Sequence, residues 1–186
     1  MQADERELIQ DILSGRTEAF GQLVRQHGGA LTSFVASFVS QQADVEEVVQ
    51  QAFVAAFEHL WQYDANRASF QTWLWRIAHH TALKHLTRRR QYFIEEHEQA
   101  AQNLTYDDHG SMFEQATDSR VRLLEYATDQ LPPDDQLLLH LYYAEERSLN
   151  DIAYILDSNA NALSSRLYRI RQRLAQLIKH FEHEDE

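Results

Sequence analysis

Two prolines, side by side at Pro132 and Pro133, and five glycines are the only strong helix breakers in 186 residues. Proline costs a helix interior about 3 kcal/mol and glycine about 1 kcal/mol relative to alanine, so a chain this poor in both can run helical wherever its apolar residues agree. They agree for most of its length, recurring at three- and four-residue steps, while β-branched runs are scarce. The expected fold is all-α, with two small helical domains, 1–94 and 112–186. The 95–111 segment, EEHEQAAQNLTYDDHGS, is acidic and rich in turn formers (Asn103, Asp107, Asp108, Gly110, Ser111) and reads as a flexible linker.

In the first half, Asp4–Leu13 and Thr17–His27 read as short helices. Gly28-Gly29 should break the chain before helix resumes at Ala30–Val39. From Asp44, Val45, Val48, Val49, Ala52, Phe53, Ala56, Phe57, Leu60 and Trp61 keep helical register for almost five turns. Asp44 with Glu47 resembles a capping box. The opposite face carries Glu46, Glu47, Gln50, Gln51 and Glu58, which on their own describe a solvated surface.

The most unusual stretch follows. Ser69 is placed to cap a helix whose apolar side is Phe70, Trp73, Leu74, Ile77, Ala78, Thr81, Leu83 and Leu86. Between Ala65 and Ile94 there is no acidic residue, and Arg67, Arg76, Lys84, Arg88, Arg89 and Arg90 give a local charge of +6 inside a chain of net charge −12. Cations at helical spacing with exposed aromatics suit unpaired nucleic acid, where phosphates are neutralised and bases stacked. The same residues fit a plain core helix with buried tryptophans and solvated arginines.

In the second half, Phe113–Gln130 returns to helix spacing, Leu131-Pro132-Pro133 ends it, and Asp134–Ala144 begins the next helix. Ser148 to Asp151 is a second capping-box pattern opening a short helix. A polar turn, Asp157–Asn159, leads into Asn161–Phe181, where Arg166, Arg169, Arg171, Arg173 and Lys179 stand with no acid from Ser158 to Phe181. Short helix, tight turn and basic helix make a helix-turn-helix. Asp157 occupies the place that usually takes glycine, and aspartate tolerates the left-handed region better than most residues.

Other chemistry finds little support. Without cysteine there is neither a disulfide framework nor a thiolate site. The ten histidines include no i, i+4 pair, and no Walker loop or nucleophile elbow is present. No enzyme, cofactor or metal is expected. A charged N-terminus (MQADERELIQ) and the lack of a long apolar run predict a soluble, cytoplasmic protein with no membrane insertion.

Three patterns occur in order: DVEEVVQQAF (44–53), FQTWLWRIA (70–78), and LPP (131–133) leading to SLNDIA (148–153) and RLYRIRQRL (166–174). Together they resemble the extracytoplasmic-function (ECF) sigma factors of the sigma-70 family, over roughly Phe20 to Ile178 with the linker excepted. The resemblance implies a region 2 domain (1–94) that docks on the clamp helices of the largest RNA polymerase subunit, with Asp44, Glu47, Gln50 and Gln51 as contacts. It implies −10 recognition and melting by Tyr63, Asn66, Arg67, Ser69, Trp73, Trp75, Arg76, His80, Lys84, Arg88 and Arg89. It further implies a region 4 domain (112–186) that meets the polymerase flap region and reads the −35 element through Asn161, Ser164, Ser165, Arg166, Tyr168, Arg169 and Arg173. Partners would be core RNA polymerase, promoter DNA and an anti-sigma factor. The chain departs from the family pattern at His80, where asparagine is frequent, and at Ala162 and Ser164, where threonine and lysine are common. The alternative is a free-standing, dimeric helix-turn-helix regulator.

Overall fold

The computed structural model describes residues 5–96 and 119–184, all of whose regular structure is helical. They form two compact units, one from the first four helices and one from the last four apart from residues 154–156. Most of the expected linker, residues 97–111, lies outside the described residues, as do 112–118.

The first unit contains α1 (Glu5–Leu13), α2 (Phe20–Ala36), α3 (Gln42–Glu58) and α4 (Phe70–Glu96), with short 3-10 turns at Thr17–Ala19 and Leu60–Gln62. α2, α3 and α4 pack on one another, burying Leu23, Leu31, Phe34 and Val35 against Val45, Val48, Ala52 and Ala56 and against Phe70, Leu74, Trp75, Ala78 and Ala82. α1 adds Leu8, Ile9 and Ile12. The break expected at Gly28-Gly29 does not occur, and α2 runs straight through both. Burial of the apolar residues on either side outweighs about 1 kcal/mol of lost propensity per glycine. Thr32 Oγ also donates back to the Gly28 carbonyl at 2.9 Å.

Two further expectations are corrected. α3 begins at Gln42, so Asp44 lies inside the first turn rather than capping it. α3 also ends at Glu58, which removes Trp61 from the apolar face and leaves it 71% exposed on the following 3-10 turn. At the other end of the unit, α4 continues to Glu96, one residue past the expected start of the linker.

The second unit contains α5 (Ser119–Asp129), α6 (Pro133–Leu139), α7 (Leu149–Ile155) and α8 (Ala160–Glu184). Pro133 takes the first helical position of α6, where its missing N–H is not needed. The helix expected to reach Ala144 instead widens at His140–Ala144, and Glu145 N–H bonds the His140 carbonyl at 3.1 Å. Leu137, Leu138 and Leu141 are buried here, facing the apolar edge of α8 formed by Leu163, Leu167, Ile170 and Leu174.

Candidate docking and nucleic-acid interfaces

On the first unit, α2 and α3 leave an open groove floored by Phe20, Val24, Phe53, Val54 and Phe57. Val54 is 53% exposed and Phe57 40%, a good deal of uncovered apolar surface for one helix. Glu46, Glu47, Gln50, Gln51 and Glu58 surround it. Glu47 is exposed and is held by Gln51, whose side-chain amide donates to it at 2.7 Å. Asp44 is different. Only 14% of its side chain is exposed, and its carboxylate meets His85 Nε2 of α4 at 3.0 Å. Val54 and Phe57 were not among the expected contacts. Val54 falls outside the apolar register of α3, and that was the signal available in the sequence.

The loop before α4 folds on local chemistry. The Asp64 carboxylate accepts from the Asn66 backbone N–H at 2.9 Å and from its side-chain amide at 3.0 Å, which closes an Asx turn and leaves Asn66 and Arg67 exposed. Ser69 caps α4 as expected, its hydroxyl accepting from Thr72 N–H at 3.2 Å. Tyr63 turns inward, its ring 5.7 Å from Phe70 and 5.5 Å from Trp73. Burial, and secondly Glu5, raise the Tyr63 phenol above its ordinary pKa.

The two tryptophans expected on the −10 strand are not surface aromatics. Trp75 is fully buried and stacked on Phe34, and Trp73 is 7% exposed. Consecutive apolar faces of α4 are claimed by α2 and α3, and the largest side chains fill the space between the helices. The face that remains carries Arg76, His80, Lys84 and Arg88 at four-residue steps. Lys84 and Arg88 are exposed, Arg76 and His80 half-buried; the side chain of Arg89 lies outside the described residues.

In the second unit the helix-turn-helix is built by its caps. Ser148 Oγ accepts from Asp151 N–H at 3.1 Å, and its hydroxyl donates to the Asp151 carboxylate at 2.5 Å. Asp157 takes the left-handed conformation, φ 52°, and Ser158 N–H bonds the Ala153 carbonyl at 2.9 Å. The Asn159 side chain then caps α8 through Asn161 N–H at 2.8 Å and Ala162 N–H at 3.4 Å. Asn161, Ser164, Ser165, Tyr168, Arg169 and Arg173 are all exposed along α8. Ser165 Oγ donates to the Asn161 carbonyl at 3.1 Å.

Arg166 stands apart from these. Its Nε donates to Asp135 at 2.6 Å, with Asp134 3.8 Å from the same guanidinium, so this arginine braces α8 against α6. Arg166, Arg169 and Arg173 line a shallow recess with Asp135, and the outer two cations carry most of its available charge. Arg171 braces the widened turn, donating to Tyr143 OH at 2.7 Å.

Residues 23–92, which span α2 to α4 almost entirely, match the Sigma-70 region 2 family. The chain is 31% identical over 182 residues to the RNA polymerase sigma factor CnrH of Cupriavidus metallidurans, covering 94% of each chain. It is 27% identical over 178 residues to the ECF RNA polymerase sigma-E factor of Escherichia coli, with 92% of each covered. The solved structure of CnrH in complex with the cytosolic domain of CnrY superposes with a TM-score of 0.63 at 28% identity, covering 95% of this chain and 97% of that one. Likeness of this extent, with the region 2 match on the three packed helices, shows that the chain belongs to the extracytoplasmic-function group of the sigma-70 family.

Proposed function

We propose that this sigma factor binds core RNA polymerase through the α2–α3 groove and directs it to promoters by reading the −10 and −35 elements, opening the DNA at −10. It catalyses no reaction of its own. One observation carries the reading: a single four-helix unit presents an acid-rimmed apolar groove on α3 and a cationic stripe on α4. The groove suits an amphipathic helix bearing basic residues, because apolar burial supplies affinity while the rim sets orientation. The stripe suits phosphates and unpaired bases. Residues 1–94 then act as region 2 and 112–186 as region 4, with 95–111 between them.

At the −10 element, Asn66 and Arg67 on the exposed loop and Arg76, His80, Lys84 and Arg88 on α4 take the roles assigned to them, with Tyr63 and Ser69 shaping the loop. Capture of an extruded base offsets lost stacking of about 1–2 kcal/mol per step. At the −35 element, Asn161, Ser164, Tyr168, Arg169 and Arg173 face the major groove, and Arg166 holds the helix that presents them. CnrH has been solved with the cytosolic domain of CnrY, and an inhibitory protein partner of comparable kind is inferred for this chain, which would act in the cytoplasm.

Run-off transcription with purified core polymerase tests the proposal. The expected result is a promoter-dependent transcript only when the chain is added; binding of the isolated chain to a two-fold DNA site, without polymerase, would point to a free-standing regulator instead.

A further inference from the structure

His85 lies on α4, the helix assigned to DNA, yet its ring is turned toward α3. Nε2 meets the Asp44 carboxylate at 3.0 Å, and Nδ1 is 3.7 Å from a Glu47 carboxylate oxygen. The ring is largely enclosed, with 13% of the side chain exposed, and Asp44 is nearly as enclosed at 14%. The Gln51 side-chain amide donates to the same Glu47 oxygen, Oε1, at 2.7 Å. One imidazole therefore touches the first and third carboxylates of the DVEEVVQQ pattern, Asp44 and Glu47, and touches them from the neighbouring helix.

A carboxylate one turn inside a helix has several rotamers, and a partner that reads it must otherwise select one of them at an entropic cost on binding. Fixing Asp44 and Glu47 beforehand removes that cost. It also makes the first turn of α3 depend on where α4 sits, since the imidazole spans the gap between the two backbones.

We propose that His85 is a positioning residue for the polymerase-docking face: it holds Asp44 inward and Glu47 outward in the arrangement that the partner helix engages. The inference rests on the docking role proposed above for α3. Under it, Asp44 contributes to docking through His85 rather than by direct contact, and Glu47 is the acidic side chain that reaches the partner.

The test is equilibrium binding of the full chain to purified core polymerase for the wild type, His85→Gln and His85→Phe, each checked for an intact thermal melt by circular dichroism. Glutamine keeps a donor for Asp44, whereas phenylalanine fills the space with none. His85→Phe is expected to weaken core binding at least fivefold, and His85→Gln to stay within about twofold of wild type. If His85→Phe is found unfolded, His85→Leu, which likewise offers Asp44 no donor, replaces it with the same expectation of fivefold weakening. Wild-type affinity in the donor-free variant, or a loss in folded His85→Gln as deep as in His85→Phe, would overturn the proposal. Failure of the wild-type chain itself to bind core would overturn the docking role along with it, so the two failures are told apart by the wild-type arm.

Discussion

The indole of Trp75 lies parallel to the ring of Phe34, 4.5 Å between centres and 2° between planes, with no surface left to solvent. Trp75→Ala therefore opens a large cavity between α2 and α4. We expect a loss of about 3–5 kcal/mol of unfolding free energy, read by urea denaturation, with core binding and promoter opening lost together. A variant that folds normally and fails only in promoter opening would contradict this packing.

Trp61 is the opposite case. At 71% exposure it is the one tryptophan of the three that solvent reaches freely. Trp61→Phe should remove most of the acrylamide-quenchable fluorescence while changing unfolding free energy by less than about 0.5 kcal/mol. Retention of the quenchable signal would place the accessible indole elsewhere.

Glu47→Lys places a cation on the acidic rim of the α2–α3 groove. With about half of its side chain exposed, Glu47 matters little to the fold. Core affinity should fall by about tenfold or more, roughly 1.4 kcal/mol, with the melting curve nearly unchanged.

Arg166 and Arg169 separate bracing from DNA contact. Arg166→Ala should destabilise the second unit by about 1 kcal/mol, a charged hydrogen bond discounted for partial exposure. Arg169→Ala should leave stability within about 0.5 kcal/mol and lower the salt dependence of promoter binding by about one phosphate contact. Asp157→Val, by contrast, forces a β-branched residue to φ 52° and should cost about 1–2 kcal/mol.

His140 bears on acid stability. Burial lowers its pKa, with Glu145 at 3.6 Å opposing the shift, so the folded unit favours the neutral ring. A depressed folded pKa means that this contribution is full above the unfolded value of about 6.5. It is lost as pH falls through the lower folded value. His140→Gln should flatten that part of the stability profile measured by urea melts across the range.

How much of this was written in the residues themselves varies from place to place. Three local features were legible, although the cap expected at Asp44 was not one of them. Ser69, Ser148 and the left-handed turn at Asp157 depend on neighbours within three residues, and the structure places all three as local chemistry dictates. The helical class was legible too, because scarce breakers and three/four periodicity leave few other solutions. The continuity of α2 through Gly28-Gly29 was not, since only packing against α3 and α4 outweighs their weak propensity.

Periodicity alone could not sort the aromatics either. In a helix flanked by two others, more than one face is buried, so Trp73 and Trp75 both turn inward although a single-stripe reading sends one of them out. The sequence by itself determined the helical class, the caps at Ser69 and Ser148 and the basic stretches, because these follow from interactions between residues a few positions apart. Which tryptophan meets solvent, which arginine is spent on Asp135 and which histidine reaches Asp44 was decided only by tertiary packing, since each partner is 31 or more positions away and no local pattern encodes the meeting.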